Sequence, residues 1–165
     1  MSEYGTIGWQ HPHPNFPLQV AEFLHSRGIV ADPHGEQRGG DTAVYLNELP
    51  NDPDKAVCVF GVRRDHTTSD SNPTIRFSLA HRGEPHNTLA PEHLAQLTFL
   101  ALHDQTDLQL TADQTLLVCR RVVSNPALRD GNNRWVRVDT YQALAAVPNL
   151  SLIHISEPTR PRLIS

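Results

Sequence analysis

The sequence has few features that would support binding to nucleic acid. Lys55 is its only lysine, and 18 acidic residues outnumber the 14 lysines and arginines, for a formal net charge of −4. Proteins that bind nucleic acid without regard to sequence neutralise backbone phosphates with Lys and Arg. We therefore expect no sequence-specific nucleic acid among the partners of this chain.

Long apolar runs are also lacking. No stretch of about 18 apolar residues is present, so we expect no transmembrane helix and no membrane partner. The N-terminus has no basic region followed by an apolar core, so no signal peptide is expected. The two cysteines, Cys58 and Cys119, lie in apolar strand patterns, which predicts buried thiols in a reducing compartment. A disulfide would require that their two strands are neighbours.

The motifs of common enzymes are missing as well. The sequence contains no G-x-S-x-G nucleophile turn and no glycine-rich phosphate loop. His11 and His13 could chelate a metal, but Pro12 separates them, and Cys58 and Cys119 have no companions at zinc-ligand spacing. We therefore expect no catalytic residue, no cofactor and no metal site.

The apolar periodicity that is present predicts one α+β domain. A helix is predicted from residue 18 to 27, ended by Gly28, and a second from about 90 to 104, with Leu94, Leu97, Leu100 and Ala101 as its core stripe. Strands are predicted at about 42–48, 55–62, 73–82, 115–123 and 134–145. This order predicts two helices packed on a mixed, mostly antiparallel sheet of four to five strands with a long C-terminal β-hairpin.

The tip of that hairpin and one other loop are the candidate interaction sites. The tip contains Asn125-Pro126 and Asp130-Gly131-Asn132-Asn133, residues that reverse the chain easily. The arginines of the hairpin either form a solvated face, paired with Asp130 and Asp139, or contact another subunit, and both interpretations remain open. The interaction residues predicted from the polar loop 63–72 and the tip are Arg63, Arg64, Asp65, Asp70, Asp130, Asn132, Arg134 and Trp135, of which Trp135 is a core or interface anchor.

Residues 17–141 also resemble a known family. The hairpin reads S-x-P, then Asp, then N-x-R-W and a Tyr near the strand end. It follows a short helix, a strand ending at Leu49-Pro50 and another ending at Arg82-Gly83. This order is similar to that of the tail terminator and minor capsid proteins of long-tailed phages, especially those of actinobacterial hosts.

The resemblance implies a virion structural protein and not an enzyme. Family members of this kind form a ring, commonly a hexamer, that ends the tail tube and joins it to the head. The implied partners are other copies of the chain, the phage tail-tube protein and the head–tail connector protein, with assembly in the host cytoplasm. Two alternatives remain open: a head–tail connector or minor capsid component, and a small soluble enzyme or ligand-binding domain that uses the histidines.

The two ends of the sequence differ in character from the rest. Residues 1–16 have no apolar period, which predicts an irregular N-terminal arm. The resemblance implies that residues 17–149 form a single tail-terminator-like domain. Residues 150–160, LSLIHISEPTR, resemble a translated adapter from DNA library preparation. We therefore expect residues 150–165 to be a non-native tail.

Overall fold

The computed structural model describes residues 14–35, 41–65 and 72–146. These ranges contain two helices, α1 (Phe16–Ser26) and α2 (Ala90–Leu102). They also contain seven strands: β1 (Ala43–Leu46), β2 (Ala56–Asp65), β3 (Thr74–Arg82), β4 (Gln105–Thr111), β5 (Gln114–Ser124), β6 (Leu128–Arg129) and β7 (Trp135–Ala145). None of the helices in the described ranges is long and apolar enough to span a membrane.

The strands form one mixed sheet in the order β1-β2-β3-β7-β5-β4. The short β6 pairs with the N-terminal end of β7. Only β1 and β2 run parallel, and the other pairs are antiparallel. The predicted α+β class and the long β5–β7 hairpin are confirmed. The sheet has more strands than the predicted four to five, because β4 and β6 were not anticipated.

Both helices lie on the same face of this sheet. Along β3, Ile75, Phe77, Leu79 and His81 alternate with more exposed residues and are fully buried. The Phe77 ring contacts Phe16 of α1 edge-on, and His81 bonds to a side chain of α2. Helix α2 packs on the central strands β3, β5 and β7, while α1 contacts β1, β2 and also β4. Because α1 touches strands near both ends of the sheet, the sheet curls around it.

Local sequence explains where the helices begin and end. Pro17 lies in the first turn of α1, where a missing N–H has no cost, and Gly28 (φ 74°) ends that helix in the left-handed region. At the start of α2, the Asn87 side-chain carbonyl accepts hydrogen bonds from the backbone N–H groups of Leu89 and Ala90, both at 3.1 Å. This contact satisfies two of the helix's unpaired donors.

The predicted core stripe of α2 is partly wrong. Leu94 is buried as expected, but Leu97 and Leu100 are 47% and 63% exposed. The buried face instead consists of Pro91, Leu94, Ala95, Thr98 and Leu102. The prediction placed Leu97 and Leu100 on the core side and left out Leu102, whereas the buried face includes the small and polar residues Ala95 and Thr98, with Ala101 partly buried against the core.

Candidate functional site

The hairpin tip is a tightly bonded turn. The carboxylate of Asp130 accepts hydrogen bonds from the backbone N–H groups of Asn132 (2.8 Å) and Arg134 (2.9 Å). Burial alone would raise the pKa of Asp130, but these N–H groups and the Arg134 guanidinium outweigh it and lower the pKa. Asn133 has a φ of 61°, which Asn tolerates better than most residues, and its carbonyl accepts the N–H of His86 at 2.9 Å.

Arg134 joins this tip to the loop between β1 and β2. Its side chain is only 4% exposed, and its Nε donates to Asp130 at 2.9 Å. The same guanidinium donates to the Asn51 side-chain oxygen at 2.8 Å and to Asp54 at 3.2 Å. Asn132 donates to the same Asn51 oxygen at 2.8 Å. The tip is therefore fixed to a loop about 80 residues away in sequence.

A second arginine fixes the same loop from the sheet. Arg82, at the end of β3, is 3% exposed and donates to the carbonyl oxygens of Pro50 (2.8 Å), Pro53 (2.7 Å) and Asp54 (2.8 Å). Such charge-assisted bonds are stronger than bonds between neutral groups. Loop 47–55 is consequently held against the face of the sheet that carries no helix.

A buried polar network connects α2 to the sheet. His81 is fully buried, with one ring nitrogen 2.8 Å from the Thr98 hydroxyl and the other 3.2 Å from the Arg137 carbonyl. Burial lowers the pKa of His81 from 6.5 to about 4, and the nearby Asp139 carboxylate only partly opposes the shift. His81 is therefore neutral at pH 7. Sequence reasoning did not identify this residue, since no motif marks it.

The same network pairs the hairpin arginines. The fully buried Asp139 accepts from Arg137 at 3.1 Å and from Arg121 at 3.5 Å. Arg137 also bonds to Glu92 of α2, and the Arg121 guanidinium stacks on the Phe99 ring at 4.1 Å. The predicted pairing with Asp130 and Asp139 is therefore seen for Arg121, Arg134 and Arg137, but Arg134 and Asp139 are buried and do not belong to a solvated face.

The face of the sheet opposite the helices carries a row of arginines. Cross-strand register aligns Arg63 with Arg76, Arg76 with Gln142, and Gln142 with Arg120. Arg76 donates to Gln142 at 3.0 Å, and Arg120 pairs with Asp104 at 2.9 Å. Arg63 and Arg76 are directly opposite each other, and like charges in this position disfavour strand pairing. Acidic groups of a partner would reduce this repulsion.

In the described part of the chain, most of the exposed large apolar side chains fall into two groups, and Leu46 and Val122 lie outside them. Leu89, Leu97 and Leu100 lie along the outer side of α2 at 63%, 47% and 63% exposure, and we call them the α2 stripe. The hairpin patch comprises Val123, Leu128, Val136 and Val138. In this patch, Val123 and Leu128 are 40% and 72% exposed, and Leu128 pairs with Val136. Val136 and Val138 are half-buried. Groups of exposed apolar side chains can mark interaction sites.

The α2 stripe borders a groove of about 470 Å³ between α2 and the segment that follows α1. Leu89, Leu94 and Leu97 line one side, and Ile29 and Thr42 line the other. Glu84, Lys55 and His93 add polar groups. The groove extends the apolar surface of α2 toward the edge of the domain.

The described residues contain no group of three potential metal ligands. The two thiols are free and buried, and burial raises the pKa of Cys58 to about 11 and that of Cys119 to about 12. They lie on β2 and β5, which are not neighbours in the sheet. Both thiols are therefore protonated at pH 7.

The predicted interaction residues fall into two places. Arg63, Arg64 and Asp65 lie at the end of β2, where they line a cavity of about 260 Å³ with Arg76. Asp130, Asn132, Arg134 and Trp135 lie at the hairpin tip, with Arg134 buried and Asn132 exposed. Asp70 lies outside the described residues. The sequence did not indicate that Asn51, Asp54 and Arg82 belong to the tip, because they are distant along the chain.

Comparison with known proteins gives a consistent picture. Residues 23–147 match the family described as bacteriophage tail terminator protein. The fold is similar to a chain of a solved structure described as the virion of a native gene transfer agent particle, with a TM-score of 0.55 and 19% identity. The match covers 78% of this chain and 94% of that chain. No curated protein matches in sequence.

Proposed function

The chain belongs to the bacteriophage tail terminator protein family, and from this membership we propose that it forms the ring that ends the tail tube and joins the tail to the head. The protein is a structural component of the virion tail. The observation that supports this proposed role is the extent of the family match. The match begins at Phe23 in α1 and includes α2 and every strand of the sheet.

The proposed partners are further copies of the chain, in a hexamer, together with the tail-tube protein and the head–tail connector protein. A closed ring uses two different surfaces on each subunit, joined head to tail. The exposed apolar groups on opposite faces of this domain support such an arrangement. We place assembly in the host cytoplasm, and we propose a structural role without catalysis.

Two loops are proposed to contact the tube or the connector. The first is the end of β2 with the loop that follows, which includes Arg63, Arg64, Asp65 and Asp70. The second is the hairpin tip with Asp130, Asn132, Arg134 and Trp135. Because Arg134 and Asp130 are occupied within the tip, they hold it rigid, which lets the exposed Asn132 meet a partner without a large loss of conformational entropy.

Deleting the gene from the phage tests the role directly. A protein that stops tube polymerisation leaves tubes of irregular and excessive length when it is missing, and these tubes do not join heads. Electron microscopy of lysates, with the gene restored from a plasmid as control, measures tail length and the fraction of headed tails. Tails of normal length that lack heads would indicate a connector role instead, and normal virions would refute both roles.

A further inference from the structure

In the described part of the chain, one face of the sheet carries no helix, and a band of positive charge crosses it. We call it the bare face. In β3, the Phe77 ring contacts α1, so Arg76, the residue before it, lies on the bare face. The register places Arg63 of β2 directly opposite Arg76, and it aligns Arg120 of β5 with them through Gln142 of β7. We call Arg63, Arg76 and Arg120 the arginine row.

The two ends of the arginine row differ in how their charge is compensated. Arg120 pairs with the Asp104 carboxylate at 2.9 Å, whereas the acceptor for the Arg76 Nε is the neutral amide oxygen of Gln142, at 3.0 Å. Arg63 is exposed and faces Arg76 across the two strands, where opposed side chains have Cβ atoms about 4.5–5.5 Å apart. The β2–β3 end therefore has two adjacent guanidinium groups that repel each other.

A cavity of about 260 Å³ lies at this pair of arginines, lined by Arg63, Arg64, Asp65 and Arg76. Because Arg64 aligns with the buried Ile75, it belongs to the other face of β2, and the donors on the bare face are those of Arg63 and Arg76. A guanidinium can donate two parallel N–H bonds to one carboxylate or phosphate. The cavity therefore has the charge and the donors for an oxyanion.

The surroundings favour a carboxylate of a protein over a phosphate of a nucleic acid. Phe60 lies on one side of the arginine row, Leu144 and Val118 lie on the other, and all three are half-buried. Arginine beside apolar and aromatic groups is typical of protein interfaces, whereas nucleic acid is bound by many cations that neutralise successive phosphates. The cavity is also smaller than the about 300–1,000 Å³ of pockets that enclose small molecules, which suits a single side chain.

We propose that Arg63 and Arg76 form a carboxylate-binding site on the bare face, and that its ligand is an Asp or Glu side chain of a partner protein in the tail. The location of that partner rests on the proposed function, in which the end of β2 contacts the tube or the connector. A carboxylate between the two guanidinium groups removes their repulsion and accepts N–H donors from both. The site makes this contact selective for acidic partners.

Binding of an acidic peptide to the purified chain tests the site. The probe is hexaglutamate, and calorimetric titration at about 0.1 M salt, where charges farther apart than about 10 Å are largely screened, measures its affinity. Arg63→Gln/Arg76→Gln is expected to bind about tenfold more weakly than wild type, since it loses charge-assisted bonds. The matched control is Arg129→Gln, an exposed arginine aligned with Trp135, about 23 Å along β7 from Gln142, and its affinity should equal that of wild type.

Urea unfolding checks the same site in the folded protein. Because the opposed arginines repel each other, the double variant should have an unchanged or higher midpoint than wild type. Hexaglutamate should raise the midpoint of wild type but not that of the double variant, since a ligand of the native state stabilises it. Equal affinities of wild type and double variant would overturn the proposal. Tighter binding of a single-stranded oligothymidylate of equal charge would overturn it too, because the ligand would then be a phosphate.

Incorporation into tails tests the partner. Arg63→Glu/Arg76→Glu is expected to abolish incorporation, and Arg129→Glu should leave it unchanged. If the double charge reversal is incorporated like wild type, the site has no acidic partner in the tail and the proposal fails, while the terminator role stands. If the wild-type chain is missing from purified tails, the proposed function fails and the partner fails with it, whereas the titration with hexaglutamate still decides whether the carboxylate site exists.

Discussion

Arg134 shows how one residue can stabilise a site without being its contact surface. Its guanidinium holds Asp130, Asn51 and Asp54 together, and its side chain is almost fully buried. Exposed arginines usually form surface pairs that contribute little stability. Burial and multiple partners change this, so Arg134 is a structural residue of the tip.

We predict that Arg134→Ala lowers the free energy of unfolding by about 2–3 kcal/mol, because removing one partner leaves buried polar groups without hydrogen bonds. Urea denaturation at pH 7 measures the change. Arg129→Ala, at a neighbouring exposed position, serves as the matched control and should stay within about 0.5 kcal/mol of wild type. If Arg134→Ala changed the free energy of unfolding no more than Arg129→Ala does, the hydrogen bonds of Arg134 would contribute nothing to stability.

His81 gives the domain a dependence on pH. Because the folded pKa is about 4 and the unfolded value is 6.5, the unfolded chain binds the extra proton between these values. Stability from this group is therefore full above pH 6.5 and is lost as the pH falls toward 4. The charged groups that face the ring are Asp139, Arg137 and Arg121.

We predict that His81 alone lowers the free energy of unfolding by about 2 kcal/mol between pH 7 and pH 5. Urea denaturation at both pH values, in wild type and in His81→Asn, isolates this contribution. The variant should be less stable at pH 7 but should lose much less stability on acidification. A wild-type protein whose loss between pH 7 and pH 5 matches that of the variant would refute the buried neutral histidine.

At the scale of elements, the junction between β3 and α2 depends on a close approach. A Cβ at Gly83 would lie 2.2 Å from the Cβ of Ala90, at the start of α2. Real Cβ atoms do not come so near, so a side chain at this position displaces the helix from the sheet.

We predict that Gly83→Ala destabilises the domain by about 1–3 kcal/mol, the usual cost of overpacking. Gly131→Ala is the matched control, because a Cβ there has no neighbour within 4 Å, and it should change stability by no more than about 0.5 kcal/mol. Thermal or urea unfolding distinguishes the two variants. A harmless Gly83→Ala would mean that α2 can shift without loss of packing.

Elements with a strong apolar period were predictable from the sequence, and weakly apolar ones were not. The β5–β7 hairpin and both helices follow from their patterns. Strand β4 was missed because Leu108 and Leu110 are its only buried residues and its turn, Ala112-Asp113, lacks the usual Asn-Gly or Gly. The exposure of Leu97 and Leu100 was not predicted either, because the spacing of the leucines alone does not show which side of the helix faces the sheet.

The candidate site was predictable only in its local part. The pairing of Asp130 with Arg134 follows from their proximity in a turn. Their contacts with Asn51 and Asp54 do not, because they arise from a fold that brings distant loops together. The sequence therefore predicted where the tip lies, but not that it is rigid.

The whole molecule is a two-layer domain with unlike faces. The helix layer presents the α2 stripe, and the bare sheet presents the hairpin patch and the arginine row. Such a subunit can join copies of itself in one direction around an axis, which is what a ring at the end of a tube requires. Loop 47–55 and the hairpin tip lie together as one rigid surface, and we propose that this surface contacts a partner in the tail.

The most direct test is a cryo-electron microscopy reconstruction of the junction between head and tail in the virion that encodes this chain. We expect a single closed ring of six copies at the head-proximal end of the tail tube. A ring at that position built from a different protein, with this chain elsewhere in the particle, would contradict the proposed role.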